Sequence, residues 1–504
     1  MKITLISILL LAALSFPAAA DLAPIHVEGQ NLVASGHPVR LRGINWAWWH
    51  LKGTQYNEDD MRHVSKWGCN VIRLAFTYSD LERTDHPGVW RHDGFRDIDN
   101  VLQWAKNNGV YVILDMHVVR GGQARQPYND GGKNLFWQSQ DDQDSFVALW
   151  CEIARRYRNR PEVAAYELMN EPDTEGHFDR LISIYKRTID AIRTVDSRKV
   201  IVVDGDQMSG PKTLVDGIKL VDDNILYTFH CYIGCSNTCW WIKNAKDGKK
   251  LSGTQDWQYV DEECTVPENA LQTSVMLRSS ANSGTAWFDD VRVEDENGKL
   301  LQSGSFDNGP NGFQAERDPV SSMAFDPRLG HVAPGSLSVH GTADYNGWLG
   351  PRFLVEPGQK LHISAWVKTK EASGETYITA AFFGPSDGIV GTPDNRARLR
   401  SQMADAVAFS RKYGVPVWAG EFGATADQPA DRHPGDFQQK WVSTLIDLFE
   451  EAGLNWSYWN FKETTSPGSM ALQPEKSDGS NYPVNETLLT SLMRGWALNA
   501  KGGQ

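Results

Sequence analysis

The sequence predicts an α/β fold, a barrel of eight parallel strands that alternate with helices, with a β-sandwich inserted after its sixth strand. Strand-like and helix-like segments alternate from Asp21 to Tyr232, and this alternation returns from residue 395 to residue 459. From about 251 to 384 short alternating strands separated by turn residues replace it. Eight strands alternating with helices are typical of a (β/α)₈, or TIM, barrel, and regularly spaced short strands are typical of a sandwich such as a jelly roll.

The predicted barrel strands are short and almost continuously apolar, as expected for parallel strands that are buried on both faces. We assign them to residues 39–45, 70–76, 110–117, 164–171, 200–204, 225–232, 415–421 and 454–459. Amphipathic segments between and after them predict helices at 57–67, 93–108, 144–157, 178–195, 395–413, 436–452 and 485–498. The domain boundaries that follow are 21–245 and 392–504 for the two parts of the barrel, and 251–386 for the sandwich.

The first 20 residues have the pattern of a secretory signal peptide. Lys2 precedes an apolar run at 3–14, which is too short to span a bilayer, and Ala18 to Ala20 form a cleavage site before Asp21. No later segment has the length and apolarity of a membrane span. We therefore expect an exported protein, extracellular or periplasmic, and we expect it to be a monomer.

The charge balance excludes several classes of partner. The chain has 50 Lys and Arg against 63 Asp and Glu, a formal net charge of −13. This acidity argues against nucleic acid and anionic membranes, which attract basic proteins. It suits a neutral partner, and 19 tryptophans indicate either sugar stacking or packing in the cores.

Three of the six cysteines are spaced four residues apart, at Cys231, Cys235 and Cys239. Export permits disulfides, so we favour a disulfide in this loop, most simply between Cys235 and Cys239. A zinc site with His230 as a fourth ligand is the alternative. Cys69 and Cys151 fall within strand and helix patterns and are predicted to be buried thiols.

Two glutamates come at the ends of predicted strands, Glu171 before a proline and Glu421 before Phe422 and Gly423. The carboxyl ends of barrel strands form the catalytic face, so both carboxylates are expected there. Two carboxylates across a cleft are sufficient to break a glycosidic bond. Other polar or aromatic residues in the predicted strands are Arg73, His117, Asn170, His230, Tyr232 and Trp459.

Each of these residues alone has a structural explanation, such as a hydrogen bond at a strand end or a place in the core. Their joint occurrence favours function, because buried ionisable groups are rare unless they are paired. Glu167 and Glu463 are competing carboxylates that could be structural, and Lys462 with Glu463 resembles a substrate-contacting stretch in some relatives.

Together these segments resemble glycoside hydrolase family 5, a family of retaining, cellulase-like barrel glycosidases. The matching stretches span the barrel in the family's order: 41–45 (LRGIN), 70–73 (NVIR), 112–117 (VILDMH), 169–172 (MNEP), 227–232 (YTFHCY), 420–423 (GEFG) and 456–459 (WSYW). The resemblance implies that Glu171 is the general acid/base and Glu421 the nucleophile. A reaction carried out by these two carboxylates is expected to need no cofactor and no catalytic metal.

The same resemblance gives roles to the remaining residues. Arg73 would keep Glu421 ionised, and His230 and Tyr232 would hold the two carboxylates in place. Asn170 would bind the sugar 2-hydroxyl, in a subsite that His117 also lines, and Trp459 would be the platform under the sugar.

The insert resembles a carbohydrate-binding module of the family 4/9 sandwich type, in segments 285–291 (TAWFDDV), 304–308 (GSFDN), 335–339 (GSLSV) and 364–369 (SAWVKT). The segments that match the module's first half come second, so the module is expected to be circularly permuted. Tyr345 and Trp348 are candidates for sugar stacking, whereas Trp287 and Trp366 alternate like core residues. Asp290 and Asp307 could share a structural Ca²⁺. A structural cover that only shapes the cleft is the alternative role.

These observations predict a secreted, retaining endo-β-glycosidase that hydrolyses β-1,4-glucan, as polysaccharide or oligosaccharide. Alternative activities within the family are those of a β-mannanase, a β-1,3-glucanase or an exo-acting β-glycosidase. The alternative from another class is a carbohydrate-binding protein without catalysis.

Overall fold

The computed structural model describes residues 22–47, 56–126, 130–232, 240–316, 323–341, 346–384, 396–424, 437–464, 469–476 and 478–501. The predicted signal peptide, the pair Cys235 and Cys239, and Tyr345 lie outside these ranges. No helix within them is long and apolar enough to cross a membrane.

A small antiparallel sheet, which the sequence analysis did not predict, precedes the barrel. It consists of β1 (Ile25–Glu28), β2 (Asn31–Ala34) and β3 (His37–Val39). Ser35 and Gly36 join the last two strands with φ of 52° and 77°. Two consecutive positive φ values are typical of a type I′ turn, which matches the twist of a two-stranded hairpin.

Eight parallel strands close into the barrel, which confirms the predicted fold class. The first six are β4 (Arg42–Ala47), β5 (Val71–Thr77), β6 (Tyr111–Val118), β7 (Val163–Glu167), β8 (Val200–Asp204) and β9 (Ile225–Cys231). The antiparallel strands of the insert follow in the chain: β10 (Trp240–Asn244), β11 (Leu251–Thr265), β12 (Gln272–Ser280), β13 (Asn282–Asp295), β14 (Leu300–Gly304), β15 (Gln314–Glu316), β16 (Met323–Asp326), β17 (Ser336–Gly341), β18 (Asn346–Leu349), β19 (Phe353–Leu354) and β20 (Lys360–Gly384). The barrel closes with β21 (Val417–Phe422) and β22 (Asn455–Tyr458), and β23 (Lys462–Thr464) pairs with β24 (Gln473–Glu475).

Most of the helices lie close to the predicted segments, but a short one at Tyr78–Leu81 was not predicted. They are α1 (Glu58–Lys66), α2 (Tyr78–Leu81), α3 (His92–Asn107), α4 (Gln140–Tyr157), α5 (Phe178–Arg193), α6 (Arg396–Gln402), α7 (Ala404–Tyr413), α8 (Phe437–Ala452), α9 (Glu486–Trp496) and α10 (Leu498–Lys501). The first begins where the sequence indicates, because the Asn57 side chain accepts hydrogen bonds from the amides of Asp59 and Asp60. The segment 395–413, predicted as one helix, forms two.

An apolar cluster fills the amino-terminal end of the barrel. It joins the first residues of several barrel strands, such as Val71, Tyr111 and Val200, to Ile25 and Leu32 of the N-terminal sheet. All of these side chains are at most 7% exposed. The N-terminal sheet therefore closes this end of the barrel with apolar contacts.

The residues from Tyr232 to Arg398, together with Ala424 to Trp441, form a second compact unit. Its antiparallel sheet is built around β20, a 25-residue strand whose first part pairs with β11 and β13 and whose last part pairs with β10 and β12. Its core is apolar, with side chains such as Phe288, Leu337 and Val367.

In the insert, the tryptophan that was predicted to be a sugar platform lies in the core, and the two that were predicted to lie in the core do not. Trp348 is 6% exposed within the core, and its indole nitrogen donates to the Ser338 carbonyl at 3.1 Å, so it is not a sugar platform. Trp287 and Trp366 are half-buried, because their neighbours along each strand point into the core instead. The alternation was recognised, but the wrong face was assigned to the core.

The cysteines that lie within helices and strands agree in part with the prediction. Cys69 is buried, and burial raises the pKa of its thiol to about 12. Cys151, in α4, is only half-buried.

Candidate active site

Buried polar side chains gather at the carboxyl end of the barrel. Arg73 lies in β5, His117 near the end of β6 and His230 in β9, while Glu421 is the last residue but one of β21. Asn170 and Glu171 follow β7, and Trp459 follows β22. Each is at most 8% exposed. Parallel strands bring their carboxyl ends to one face, so residues far apart in the sequence become neighbours.

Arg73 is the centre of the cluster. Its Nε and Nη2 each donate to one oxygen of Glu167 at 2.8 Å, a bidentate pair. Its Nη1 donates to Glu421 Oε1 at 2.5 Å and to Asn45 Oδ1 at 3.0 Å, and its Nη2 also donates to Asn170 Oδ1 at 2.9 Å. One fully buried guanidinium therefore contacts four residues from three other segments of the barrel.

His117 is held between Asp115 and Asn170. Its Nδ1 lies 2.7 Å from Asp115 Oδ2, and its Nε2 lies 3.2 Å from Asn170 Nδ2. Because the Asn170 amide oxygen accepts from Arg73, its nitrogen must donate to His117. His117 is then a neutral imidazole with its hydrogen on Nδ1, and burial lowers its pKa to about 4.

The two predicted catalytic carboxylates face each other. One oxygen of Glu171, one of Glu421 and a ring nitrogen of His230 lie within 4.8 Å of one another. The His230 Nδ1 is 2.8 Å from Glu171 Oε1 and 3.7 Å from Glu421 Oε2. Burial opposes the charged form of His230, but the negative charges of Glu421 and Glu171 outweigh it and raise its pKa.

The backbone around Glu171 differs from the prediction. The strand ladder ends at Glu167, and Glu171 has a φ of +45°. Two bonds keep the intervening residues aligned: the Leu168 amide donates to Val202 and the Asn170 amide to Met116. A left-handed φ is unfavourable for a residue with a Cβ, and such conformations cluster at functional sites.

Trp459 provides an aromatic surface beside the carboxylates. Its ring stacks on His117 with centroids 5.2 Å apart and planes inclined by 19°. Its amide donates to the Phe422 carbonyl at 2.8 Å, directly after Glu421. A cis peptide bond joins it to Asn460.

The sequence offers three further candidates, Tyr232, Glu167 and Lys462. Tyr232 follows directly after β9 and is half-buried, and its predicted bond to a carboxylate stays a prediction. Glu167 is bound to Arg73, and the Lys462 ammonium lies 2.7 Å from Asp60 Oδ1 at 2% exposure. Both have the contacts of structural residues.

Sequence reasoning missed three polar residues of the site: Asn45, Asp115 and Asp204. Each is fully buried, at or near the carboxyl end of β4, β6 or β8. Asp115 and Asp204 have pKa values raised well above the usual range by burial. The signal for Asp204 was present, since it ends a predicted strand just as Glu421 was predicted to do.

Within the described ranges, two groups of three side chains are close enough to share one cation, namely Glu171, His230 and Glu421, and Glu167, Asp204 and His230. The guanidinium of Arg73 already contacts Glu421 and Glu167. A divalent ion bound there would face this fixed positive charge at short range, so the donor set suits an arginine-neutralised cluster better than a metal centre.

Comparisons with known proteins identify relatives for part of the chain. Residues 32–265 match the model of the cellulase family, glycosyl hydrolase family 5. A β-xylosidase from Phanerodontia chrysosporium is 32% identical over 179 residues, which are 35% of this chain and 37% of the relative. Endoglucanase C of Acetivibrio thermocellus is 31% identical over 179 residues, which are 36% of this chain and 51% of the relative. The chain thus spans between 37% and 51% of the length of these two relatives.

Among solved structures, the crystal structure of an endogalactoceramidase has a TM-score of 0.52 at 15% identity, covering 94% of this chain and 85% of that one. At this identity the likeness is one of fold. Residues 32–265, which include the first six strands of the closed eight-stranded barrel, are therefore similar in sequence to the cellulase family, glycosyl hydrolase family 5.

Proposed function

We propose that this protein is a retaining endo-β-glycosidase that hydrolyses β-1,4-glucan by double displacement. The observation that carries the proposal is the separation of Glu171 and Glu421, whose nearest oxygens are within 4.8 Å. Retaining glycosidases have carboxyl groups about 5–5.5 Å apart, whereas inverting enzymes need about 6.5–9.5 Å to admit a water molecule.

The contacts of the two carboxylates suit different tasks. Glu421 receives a hydrogen bond from the buried Arg73 at 2.5 Å, which stabilises its negative charge and suits it to attack the anomeric carbon. Glu171 contacts a ring nitrogen of His230 instead and is suited to exchange a proton. In the first step Glu171 protonates the leaving oxygen while Glu421 forms a glycosyl ester. In the second step Glu171 takes a proton from water, which hydrolyses the ester.

The structure offers surfaces for the sugar at this point. Asn170 keeps one amide hydrogen beyond its bond to His117, and that hydrogen can donate to the sugar 2-hydroxyl. Trp459, stacked on His117, offers its ring as a platform. The name endoglucanase among the relatives supports a glucan and internal cleavage, and the name β-xylosidase keeps a xylose-containing substrate in the test.

Substitution of Glu171 by glutamine tests the acid/base role. We expect hydrolysis to fall by about 10²–10⁴-fold, because the amide cannot donate or take up the proton. Glu175→Gln is the matched control, since this residue is in the same loop, 42% exposed and paired with Arg125, and should keep wild-type activity. Full hydrolysis by Glu171→Gln would refute the assignment.

Retention and substrate are measured on the wild-type protein. Proton NMR of the first product formed should show the β-anomer, and an α-anomer would exclude a retaining mechanism. A panel of cellulose, mixed-linkage glucan, mannan and xylan should give the fastest loss of viscosity on a glucan. Binding to these glycans without cleavage of any would favour the non-catalytic alternative.

We propose that the protein is exported, acts as a monomer and needs no metal or cofactor, since the two carboxylates suffice for the chemistry. The Asp290 carboxylate lies 2.9 Å from His331 Nδ1, so this contact does not support the structural Ca²⁺ considered with Asp307.

We further propose that the insert is a permuted carbohydrate-binding module that binds sugar through one face of its sheet. Tyr259 and Trp366 are opposite each other on β11 and β20, and Trp257 and Trp287 lie on the same face. Tyr259 is 46% exposed. Affinity electrophoresis of Tyr259→Ala and Trp257→Ala in soluble glucan should show weaker retardation than the wild type, and unchanged retardation would favour the structural-cover role.

A further inference from the structure

Asp204 is a buried carboxyl group to which the proposed double displacement gives no part. It is the last residue of β8 and is fully buried at the carboxyl end of the barrel. Burial, together with the negative charge of Glu167, raises its pKa, while Arg73 opposes the shift. Burial of an ionisable group costs free energy unless the group is hydrogen-bonded or paired with an opposite charge.

The contacts of Asp204 lead to both partners of the proposed proton exchange. Its Oδ1 accepts a hydrogen bond from the Glu171 amide at 3.3 Å and lies 3.9 Å from His230 Nε2. The other ring nitrogen of this histidine is 2.8 Å from the Glu171 carboxylate. Asp204 therefore contacts the main chain of Glu171 directly and its side chain through one imidazole. Its Oδ2 has no hydrogen-bond partner in the described part of the chain.

The loop after β8 reinforces these contacts. Gln207, Met208 and Ser209 all have φ between +53° and +61°, an unusual run for residues that are not glycine. This conformation lets the Ser209 hydroxyl donate to Asp204 Oδ1 at 2.7 Å, while its carbonyl accepts from the His230 amide at 2.6 Å. The Met208 amide donates to the carbonyl of Pro172, the residue after Glu171.

We propose that Asp204 is a positioning residue for proton transfer by Glu171. Its carboxylate accepts a hydrogen bond from the amide of Glu171, a residue with a left-handed φ. The same carboxylate faces Nε2 of His230, whose Nδ1 contacts the Glu171 side chain. Glu171 is thereby kept at the angle needed to reach the leaving oxygen. This inference rests on the proposed function, and it assigns to Asp204 no contact with the substrate.

A positioning role for an acid/base predicts a selective defect. Cleavage of a sugar–sugar bond needs a proton on the leaving oxygen, whereas a dinitrophenolate leaves without one. A variant with a misplaced Glu171 should lose glucan hydrolysis and keep the first step on a dinitrophenyl glycoside. In the second step azide, which attacks without a base, should replace water and give a glycosyl azide.

The experiment compares Asp204→Asn with the wild type on mixed-linkage β-glucan and on dinitrophenyl β-cellobioside. The amide keeps the shape of the side chain but removes one of its two acceptor oxygens. We expect kcat on the glucan to fall by about tenfold to a hundredfold, and the burst of dinitrophenolate to change by less than about threefold. Added azide should accelerate the steady state on the cellobioside.

Two control variants show whether a loss of activity is specific to Asp204. Glu171→Ala provides the reference profile of a missing acid/base. Asp206→Asn alters a buried carboxylate two residues further along, which binds Thr174 rather than Glu171 or His230, and should leave the ratio of the two activities unchanged. If Asp204→Asn does not fold, Ser209→Ala serves in its place, because it removes the hydroxyl that holds Asp204.

Each outcome decides one question. Equal losses on both substrates, or no loss on either, would overturn the positioning role of Asp204 while leaving the glycosidase proposal intact. A selective loss with azide rescue supports it. A wild type that cleaves neither substrate, or a Glu171→Ala variant without the selective profile, would overturn the proposed function itself.

Discussion

The two ends of the barrel are equally buried but opposite in chemistry. At the amino end Val71, Tyr111 and Val200 belong to one apolar cluster with Leu32 of the N-terminal sheet. At the carboxyl end the same strands place charged groups in contact within a few ångströms, with Arg73 at the centre. Burial of apolar groups lowers the free energy of the folded state, whereas burial of charges costs free energy unless they are paired. The amino end thus stabilises the barrel, whereas the charged groups at the carboxyl end lower the free energy of unfolding in return for a reactive arrangement.

The largest effect should follow from removal of the central cation. Arg73→Met leaves Glu167, Glu421 and Asp115 buried without their positive partner. We expect the free energy of unfolding to fall by about 3–5 kcal/mol and hydrolysis to be abolished. Urea unfolding and a glucan assay measure the two effects. Arg187→Ala, which breaks an exposed pair with Asp144, is the control and should change stability by less than about 0.5 kcal/mol.

A change at the amino end should separate stability from activity. Leu32 is 1% exposed in the apolar cluster, so Leu32→Ala should lower the free energy of unfolding by about 2–5 kcal/mol. Because Leu32 lies in the cluster at the opposite end of the barrel, kcat per folded molecule should stay at the wild-type value. A large fall in kcat, measured where the variant is fully folded, would show that the two ends are coupled.

This difference also explains how much the sequence could predict. The alternation of apolar strands with helices is a regular pattern, so the barrel and its interruption were predicted correctly. The strand ends, however, were located by polarity alone. That rule placed Glu171 in a strand that stops at Glu167, because no sequence pattern indicates a left-handed φ at a glutamate.

Other residues were not predicted because their roles depend on contacts that form only in the folded structure. Asp115 lies within a strand and its role depends on Arg73, so only the folded barrel brings the two into contact. In the insert, both faces of the strands contain aromatic residues, and alternation alone cannot say whether Trp348 or Trp366 faces the core. The N-terminal hairpin had a turn signal at Ser35 and Gly36 but strands of only three or four residues.

The effect with the narrowest range of conditions concerns a single proton at the carboxyl end and appears only in acid. His117 has a pKa of about 4 in the folded protein, against about 6.5 in an unfolded chain. Between about pH 4 and pH 6.5, His117 is therefore protonated in most unfolded molecules but neutral in most folded ones. The resulting contribution to stability is fully present above about pH 6.5 and is lost as the pH falls towards 4, a change of about 3 kcal/mol.

His117→Gln should flatten this part of the stability profile. Urea unfolding of both proteins between pH 4 and pH 7 gives the difference in slope, which cancels the opposite contribution of His230, whose pKa is raised. Leu32→Ala should leave the slope of stability against pH unchanged, because the amino-end cluster contains no group that titrates between pH 4 and pH 7. Parallel profiles for wild type and His117→Gln would mean that His117 is not held neutral by its burial between Asp115 and Asn170, and the distinction between the two ends would then rest on Arg73 alone.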